Sequence, residues 1–96
     1  MLFHLVAFRF KPENKHSVGE AVARLRAMAP LIGEVLDLKV GSDVVHSGRS
    51  YDLGLVVTLK DEAALAVYNE HPAHLPVKAF LAPLYEQAVA VDFISE

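Results

Sequence analysis

The chain contains no cysteine among its 96 residues. This absence excludes disulfides, thiolate metal sites, iron–sulfur clusters and a cysteine nucleophile. Basic residues are also few: nine lysines and arginines stand against twelve aspartates and glutamates, which gives a formal net charge of −3. A protein that binds nucleic acid through phosphate contacts needs the opposite balance. We therefore expect no nucleic-acid partner.

Long apolar runs are missing as well. None reaches the roughly 18 residues that a membrane helix needs, and the residues after Met1 lack the basic segment and cleavage site of a secretion signal. We expect no membrane partner and a cytoplasmic location. Hydrophobic residues make up 53% of the chain and charged residues 22%, which excludes a disordered chain. The length predicts a single domain over residues 1–96.

The chain is nevertheless unusually apolar for its size, with a mean hydropathy of +0.31. A domain of this length buries only about two thirds of the surface of its unfolded chain. Surplus apolar side chains must then be exposed or covered by a partner chain. This imbalance indicates a homo-oligomer.

Hydrophobic periodicity divides the chain into four strands and two helices. The predicted strands cover residues 3–10, 35–40, 51–59 and 88–93, and the predicted helices cover residues 18–29 and 62–70. Ser17 and Glu20 fit a capping box at the first helix, and Asp61 is a suitable N-cap for the second. Three prolines predict an irregular segment over 74–85, with one helical turn around 77–80.

The predicted order is β-α-β-β-α-β. Strand–helix–strand crossovers are almost always right-handed, so two of them interleave into a ferredoxin-like α+β sandwich with both helices on one face of an antiparallel sheet. The other face would carry Leu5, Ala7, Val56 and one alternating set from the last strand. Because one chain has nothing to cover this face, the pattern predicts a two-fold homodimer packed sheet to sheet.

Several ordered motifs resemble one known family. They are the opening His4 to Phe10, the stretch Tyr51-Asp52-Leu53 with Val56-Val57, the helix residues Ala64, Leu65 and Tyr68, the segment His71-Pro72-Ala73-His74, and the ending Val91-Asp92-Phe93. At these spacings they resemble the stress-responsive dimeric α+β barrel (Dabb) domain family. The resemblance spans nearly the whole chain and implies a ferredoxin-like protomer in a dimer whose sheets close into a barrel.

This chain also resembles, in part, one group within the family, the polyketide cyclases of the olivetolic acid cyclase type. That resemblance implies a pocket histidine at His4, a helix tyrosine at Tyr68 and a catalytic base at His74. A further pocket histidine of those cyclases falls at Leu53 here, which implies a more apolar pocket and a different substrate.

His74 is the first candidate for chemistry because only histidine titrates near neutral pH without perturbation. It follows Pro72 and Ala73 on a turn, where functional groups are often placed. The alternative is an imidazole that binds backbone carbonyls and fixes the proline-rich segment to the sheet.

His4 and Tyr68 are the other catalytic candidates. If the even-numbered face of the first strand points at the helices, His4 meets Tyr68 on the inward face of the second helix. The tyrosine hydroxyl could donate to a substrate carbonyl or a developing enolate. The alternatives are a core histidine with a satisfied ring nitrogen and a core aromatic residue.

A metal site is the weaker interpretation of the histidines. His71 and His74 are three residues apart beside Glu70, and His4 could add a ligand, but Pro72 prevents one regular helix from presenting the pair. At the end of the second helix, His71 fits a structural role, since a cation there interacts favourably with the helix dipole. We expect no metal and no cofactor.

Two functions of different classes remain open at this point. The first is a cofactor-independent enzyme that transfers a proton on a small, partly apolar carbonyl compound, with His74 as base, Tyr68 at the oxyanion and His4 orienting one of them. Phe8, Leu53 and Phe80 would bind the substrate. The second is a non-catalytic homodimer with a stress-response or ligand-binding role. A cavity reached by all three catalytic candidates would favour the enzyme.

Overall fold

A computed structural model describes all 96 residues. Its strands are β1 (Leu2–Phe10), β2 (Asp37–Ser42), β3 (Leu53–Leu59) and β4 (Tyr85–Ile94), and its helices are α1 (Val18–Met28), α2 (Glu62–Glu70) and α3 (Leu75–Leu81). All neighbouring strands are antiparallel, in the order β2-β3-β1-β4. The predicted ferredoxin-like α+β fold is confirmed. None of the helices is long and apolar enough to cross a bilayer.

The core lies between the sheet and the helices. Alternation on β3 buries one side of the strand, as its sequence predicts. The buried residues from the sheet are Leu2, Val6, Phe10, Leu53, Leu55, Val57 and Leu59, and those from the helices are Ala21, Leu25, Met28, Tyr68, Val77 and Leu81. Each large apolar side chain stabilises the fold by about 1.5–3 kcal/mol when fully buried. The same alternation puts the even-numbered residues of β1 on the helix side.

The two predicted helix starts have different outcomes. Asp61 is confirmed as the N-cap of α2, because its Oδ1 accepts a hydrogen bond from the Ala64 N–H at 2.9 Å. The capping box of Ser17 and Glu20 is wrong. A 3₁₀ segment already covers Pro12–Ser17, so Ser17 has helical backbone angles and makes no side-chain cap. Glu20 instead accepts hydrogen bonds from the Arg24 guanidinium at 2.6 and 2.9 Å.

The proline-rich segment is more regular than predicted. Residues Leu75–Leu81 form α3, because Pro76 lies in the first turn, where the missing N–H has no helical partner to lose. The edge strands also differ from their predicted bounds. β4 begins at Tyr85, and β2 runs to Ser42, since backbone pairing with β3 does not require apolar side chains.

The sheet face opposite the helices is apolar and uncovered. Leu5, Val89, Val91 and Phe93 are between 41% and 56% exposed on this face. Phe3 stacks on Phe93 with ring centroids 5.5 Å apart. We call this the open face of the sheet. It has the composition that the sequence predicts for a surface covered by a partner chain.

Candidate functional site

A cavity of about 310 Å³ lies between the sheet and the helices. Its lining consists of His4, Val6, Phe8, Leu25, Leu55, Tyr68, Asn69, His74, Lys78, Leu81, Ala82 and Tyr85. The volume and the mixture of apolar walls with a few polar groups are typical of a small-molecule site. The structure therefore brings His4, Tyr68 and His74 to one cavity.

His74 lies at the junction of α2 and α3, where the chain turns after His71. Its backbone N–H donates to the His71 carbonyl at 2.8 Å, and its side chain is only 8% exposed. The Nδ1 atom lies 3.0 Å from the backbone oxygen of Tyr68, which can only accept. Nδ1 therefore carries the proton, and in the neutral ring Nε2 keeps the lone pair.

Burial lowers the pKa of His74 below its ordinary value of 6.5. The nearby charges of Lys78 and His4 lower this pKa further, while the hydrogen bond to the Tyr68 carbonyl opposes the shift. The imidazole is therefore neutral at pH 7. A buried neutral imidazole with a free nitrogen can accept a proton from a bound molecule.

The Tyr68 ring lies between the two imidazoles. It stacks on His74 with centroids 4.3 Å apart, and it contacts His4 edge-on at 5.7 Å. The side chain is fully buried, and the hydroxyl has no hydrogen-bond partner in the chain. Burial raises the pKa of Tyr68 to about 12. The group thus remains a protonated, unused donor over the whole neutral range.

His4 is held by a carboxylate from the last strand. Its Nδ1 donates to Oδ1 of Asp92 at 2.5 Å, because the two residues are direct partners in the antiparallel register of β1 and β4. In the sequence Asp92 stands out only as part of a family motif, and its contact with His4 was not predicted. The available signal was the single acidic residue in the otherwise apolar predicted strand 88–93, which lies opposite His4 once β1 and β4 are paired.

The three predicted substrate-binding residues have different positions. Phe8 lines the cavity and contacts the Tyr85 ring edge-on at 5.1 Å. Leu53 is buried in the core, and Leu55 provides the β3 wall of the cavity instead. In the register of β1 and β3, Leu53 pairs with Phe8 and Leu55 pairs with Val6. Phe80 lies outside the cavity, with the Arg24 guanidinium 3.9 Å above its ring.

His71 ends α2 and stabilises the following turn. Its Nδ1 accepts a hydrogen bond from the Ala73 N–H at 3.0 Å, and its backbone N–H donates to the Tyr68 carbonyl. The chain holds no group of three or more histidine, aspartate or glutamate side chains arranged to bind a metal ion.

The sequence profile of the Stress responsive A/B Barrel Domain family, Dabb, matches residues 2–95. The chain belongs to the Dabb family. The family resemblance drawn from its motifs is thereby confirmed. No curated protein matches this Dabb chain significantly in sequence.

Solved structures similar to this Dabb protein agree with the fold. A dimeric ferredoxin-like protein of unknown function from Thermobifida fusca is 28% identical, with a TM-score of 0.77 over 98% of this chain and 90% of that one. A dimeric protein of unknown function from Bacteroides fragilis is 21% identical, with a TM-score of 0.87 over 98% and 95% of the two chains. Hydroxynitrile lyase from Passiflora edulis is 17% identical, with a TM-score of 0.84 over 99% and 93%. Proteins of similar fold thus include both dimeric proteins and an enzyme.

Proposed function

We propose that this Dabb protein is a cofactor-independent enzyme that transfers a proton on a small, partly apolar carbonyl compound, in an isomerisation or a cyclisation. The observation that carries the proposal is the grouping of His4, Tyr68 and His74 at one cavity. Within this group, a buried imidazole of lowered pKa stacks against a buried tyrosine whose hydroxyl has no partner.

His74 is the base in this proposal. Nε2 accepts the proton from the carbon next to the substrate carbonyl, and the electron pair of the broken C–H bond moves into the enolate. The Tyr68 carbonyl holds Nδ1–H and so fixes the tautomer that leaves Nε2 free. The protonated imidazole then returns the proton to the substrate at the carbon where the product needs it.

Tyr68 stabilises the negative charge that develops on the carbonyl oxygen. A preorganised donor in a site with little water contributes more to such a charge than it would in bulk solvent. The raised pKa keeps the hydroxyl protonated, and no competing acceptor in the chain occupies it. His4 positions the Tyr68 ring through the edge-on contact, and Asp92 fixes the orientation of His4.

The apolar part of the substrate would lie against Phe8, Val6 and Leu55, which line the cavity. Leu53 and Phe80 lie outside this cavity, so the proposal gives them no role in binding. The expectation of a substrate more apolar than that of the polyketide cyclases rests instead on Phe8, Val6 and Leu55, which form the walls.

We also propose that the protein works as a homodimer joined through the open face. An uncovered apolar face with Leu5, Val91 and Phe93 half exposed supports this. Similar solved structures are dimeric ferredoxin-like proteins. A second copy of the same face is the occupant that two-fold symmetry provides.

The enzymatic proposal is tested by deuterium exchange. Two probe ketones, butyrophenone and 3-benzoylpropionate, are incubated with the protein in deuterated buffer, and loss of the proton signal beside the carbonyl is followed by NMR. We expect faster exchange with the wild type than with buffer, and a decrease of on the order of a hundredfold in His74→Gln. His46→Gln is the matched control, because His46 is exposed in a loop.

Equal exchange rates for wild type and His74→Gln would contradict the proposal. Binding of a probe at the cavity without any accelerated exchange would favour the alternative of a non-catalytic ligand-binding homodimer. Circular dichroism of each variant establishes that the fold is retained.

A further inference from the structure

Lys78 is the only lysine, arginine, aspartate or glutamate among the twelve residues that line the cavity. Its Nζ donates a hydrogen bond to the backbone carbonyl of Asn69 at 2.7 Å, and its side chain remains exposed, so the ammonium group lies at the mouth of the cavity. The Lys78 N–H donates to the His74 carbonyl at 3.0 Å, which places these two residues one helical turn apart.

We propose that the cavity selects anionic substrates, namely short keto acids whose carboxylate binds Lys78 while the carbonyl group lies beside His74. This inference rests on the proposed function above and names its substrate class.

The charges around the cavity favour an anion. Asp92 is hydrogen-bonded to His4 and is not among the residues that line the cavity. The carboxylate of a ligand would therefore meet a positive group without a competing acid in the lining. Eight of the twelve lining residues are hydrophobic, and charge attraction beside apolar walls is screened less than in open water.

The donors at this end of the cavity fit a carboxylate. A lysine ammonium group has three N–H donors, and the Asn69 carbonyl occupies one of them. Two remain for the oxygens of a ligand. Asn69 also lines the cavity, and its side-chain amide offers two further donors within the same region.

The spacing of the two residues limits the length of the substrate. Side chains four residues apart on a helix have Cβ atoms about 5–6 Å apart and project from the same face. A carboxylate at Lys78 and a carbonyl group at His74 therefore belong to one short molecule. In 3-benzoylpropionate two methylene groups separate the carboxylate from the ketone, whereas butyrophenone has the same ring and ketone without the charge.

The test compares the affinities of these two probes, measured by titration while the ring signals of His74 are followed by NMR. We expect the wild type to bind 3-benzoylpropionate about fivefold more tightly than butyrophenone, the range of a partly exposed ion pair. K78M should bind the two probes equally and K78R should keep the preference. K60M is the matched control, since Lys60 is an exposed residue outside the cavity lining. Added salt should reduce the preference of the wild type.

Equal affinities in the wild type, or an unchanged preference in K78M, would overturn the anion selectivity while leaving the His74 exchange chemistry intact. If neither probe shifts the His74 signals, the cavity binds no compound of this class, and the selectivity fails together with the proposed substrate. Loss of exchange in K78M with an unchanged preference would assign Lys78 to the chemistry and would also refute its role in selection.

Discussion

Replacement of Tyr68 by phenylalanine should separate stability from activity. The substitution removes one oxygen atom and keeps the ring that stacks on His74. Because the hydroxyl is buried without a hydrogen-bond partner, the folded protein gains nothing from it, whereas the unfolded chain hydrates it. We therefore expect Tyr68→Phe to be at least as stable as the wild type and less active in deuterium exchange.

The expected gain in stability follows from the cost of an unsatisfied buried group. Such a group costs about 1–3 kcal/mol, and the void left by one oxygen atom offsets part of that. A net gain of about 1 kcal/mol is expected, which raises the melting temperature of a domain of this size by roughly 4–8 °C.

Alkaline pH provides a second readout of the same residue. The unfolded chain deprotonates Tyr68 near its ordinary value of 10.0, and the folded protein does so at about 12. A pKa raised by folding contributes stability that is present below pH 10 and is lost as the pH rises toward 12. The two values correspond to roughly 2–3 kcal/mol of free energy of unfolding. The free energy of unfolding of Tyr68→Phe should therefore decrease less than that of the wild type as the pH rises from 10 to 12.

Urea denaturation at matched protein concentration measures the stability at neutral and alkaline pH, and tyrosinate absorbance measures the titration. The matched control is Tyr51→Phe, since Tyr51 lies before β3 and outside the cavity lining. A loss of more than about 1 kcal/mol in Tyr68→Phe would contradict this prediction, because the hydroxyl must then have a partner that stabilises the fold.

Three other predictions concern assembly, acid and the helix start. Leu5→Glu places a charge on the open face, so light scattering should give a mass near 10.5 kDa for the folded variant and twice that for the wild type; a wild-type monomer would contradict the dimer. The lowered pKa of His74 means that its contribution to stability is present above pH 6.5 and is lost as the pH falls below that value, so acid urea titrations of wild type and His74→Gln should diverge there, and parallel curves would contradict the shift. Asp61→Ala removes the side chain that accepts from the Ala64 N–H and should cost about 1 kcal/mol in urea denaturation, whereas no change would mean that water replaces the cap.

Local patterns in the sequence were enough to predict much of the fold. The alternation of β3 and the cap at Asp61 depend on neighbouring residues only, and both occur in the structure. Ser17 carries an equally clear local signal, yet the 3₁₀ segment from Pro12 determines where the helical backbone begins. A local rule therefore fails where an adjacent segment already has helical backbone angles.

The candidate site was predictable only in part. His4, Tyr68 and His74 stand out by residue type, and the even-numbered face of β1 predicts that His4 meets Tyr68. The contact of His4 with Asp92 joins residues 88 positions apart and depends on the exact register of β1 and β4. The position of Lys78 depends on α3, which was not predicted because the prolines in this segment indicated irregular structure. Both features require tertiary structure. His4 and Asp92 are too far apart in the sequence for a local pattern to pair them, and no local pattern shows that Lys78 lies beside a cavity.

The pairing of β1 with β4 has a consequence for how this protein responds to dilution. Phe3 and Phe93 face each other on the open side of the sheet, and on the next rung of the ladder His4 and Asp92 face each other on the cavity side. A partner chain that holds the two phenylalanines together also holds the imidazole to its carboxylate. Turnover per chain would then depend on protein concentration by mass action. Turnover per chain would decrease at protein concentrations below the dissociation constant of the dimer, even though every group at the cavity belongs to a single chain.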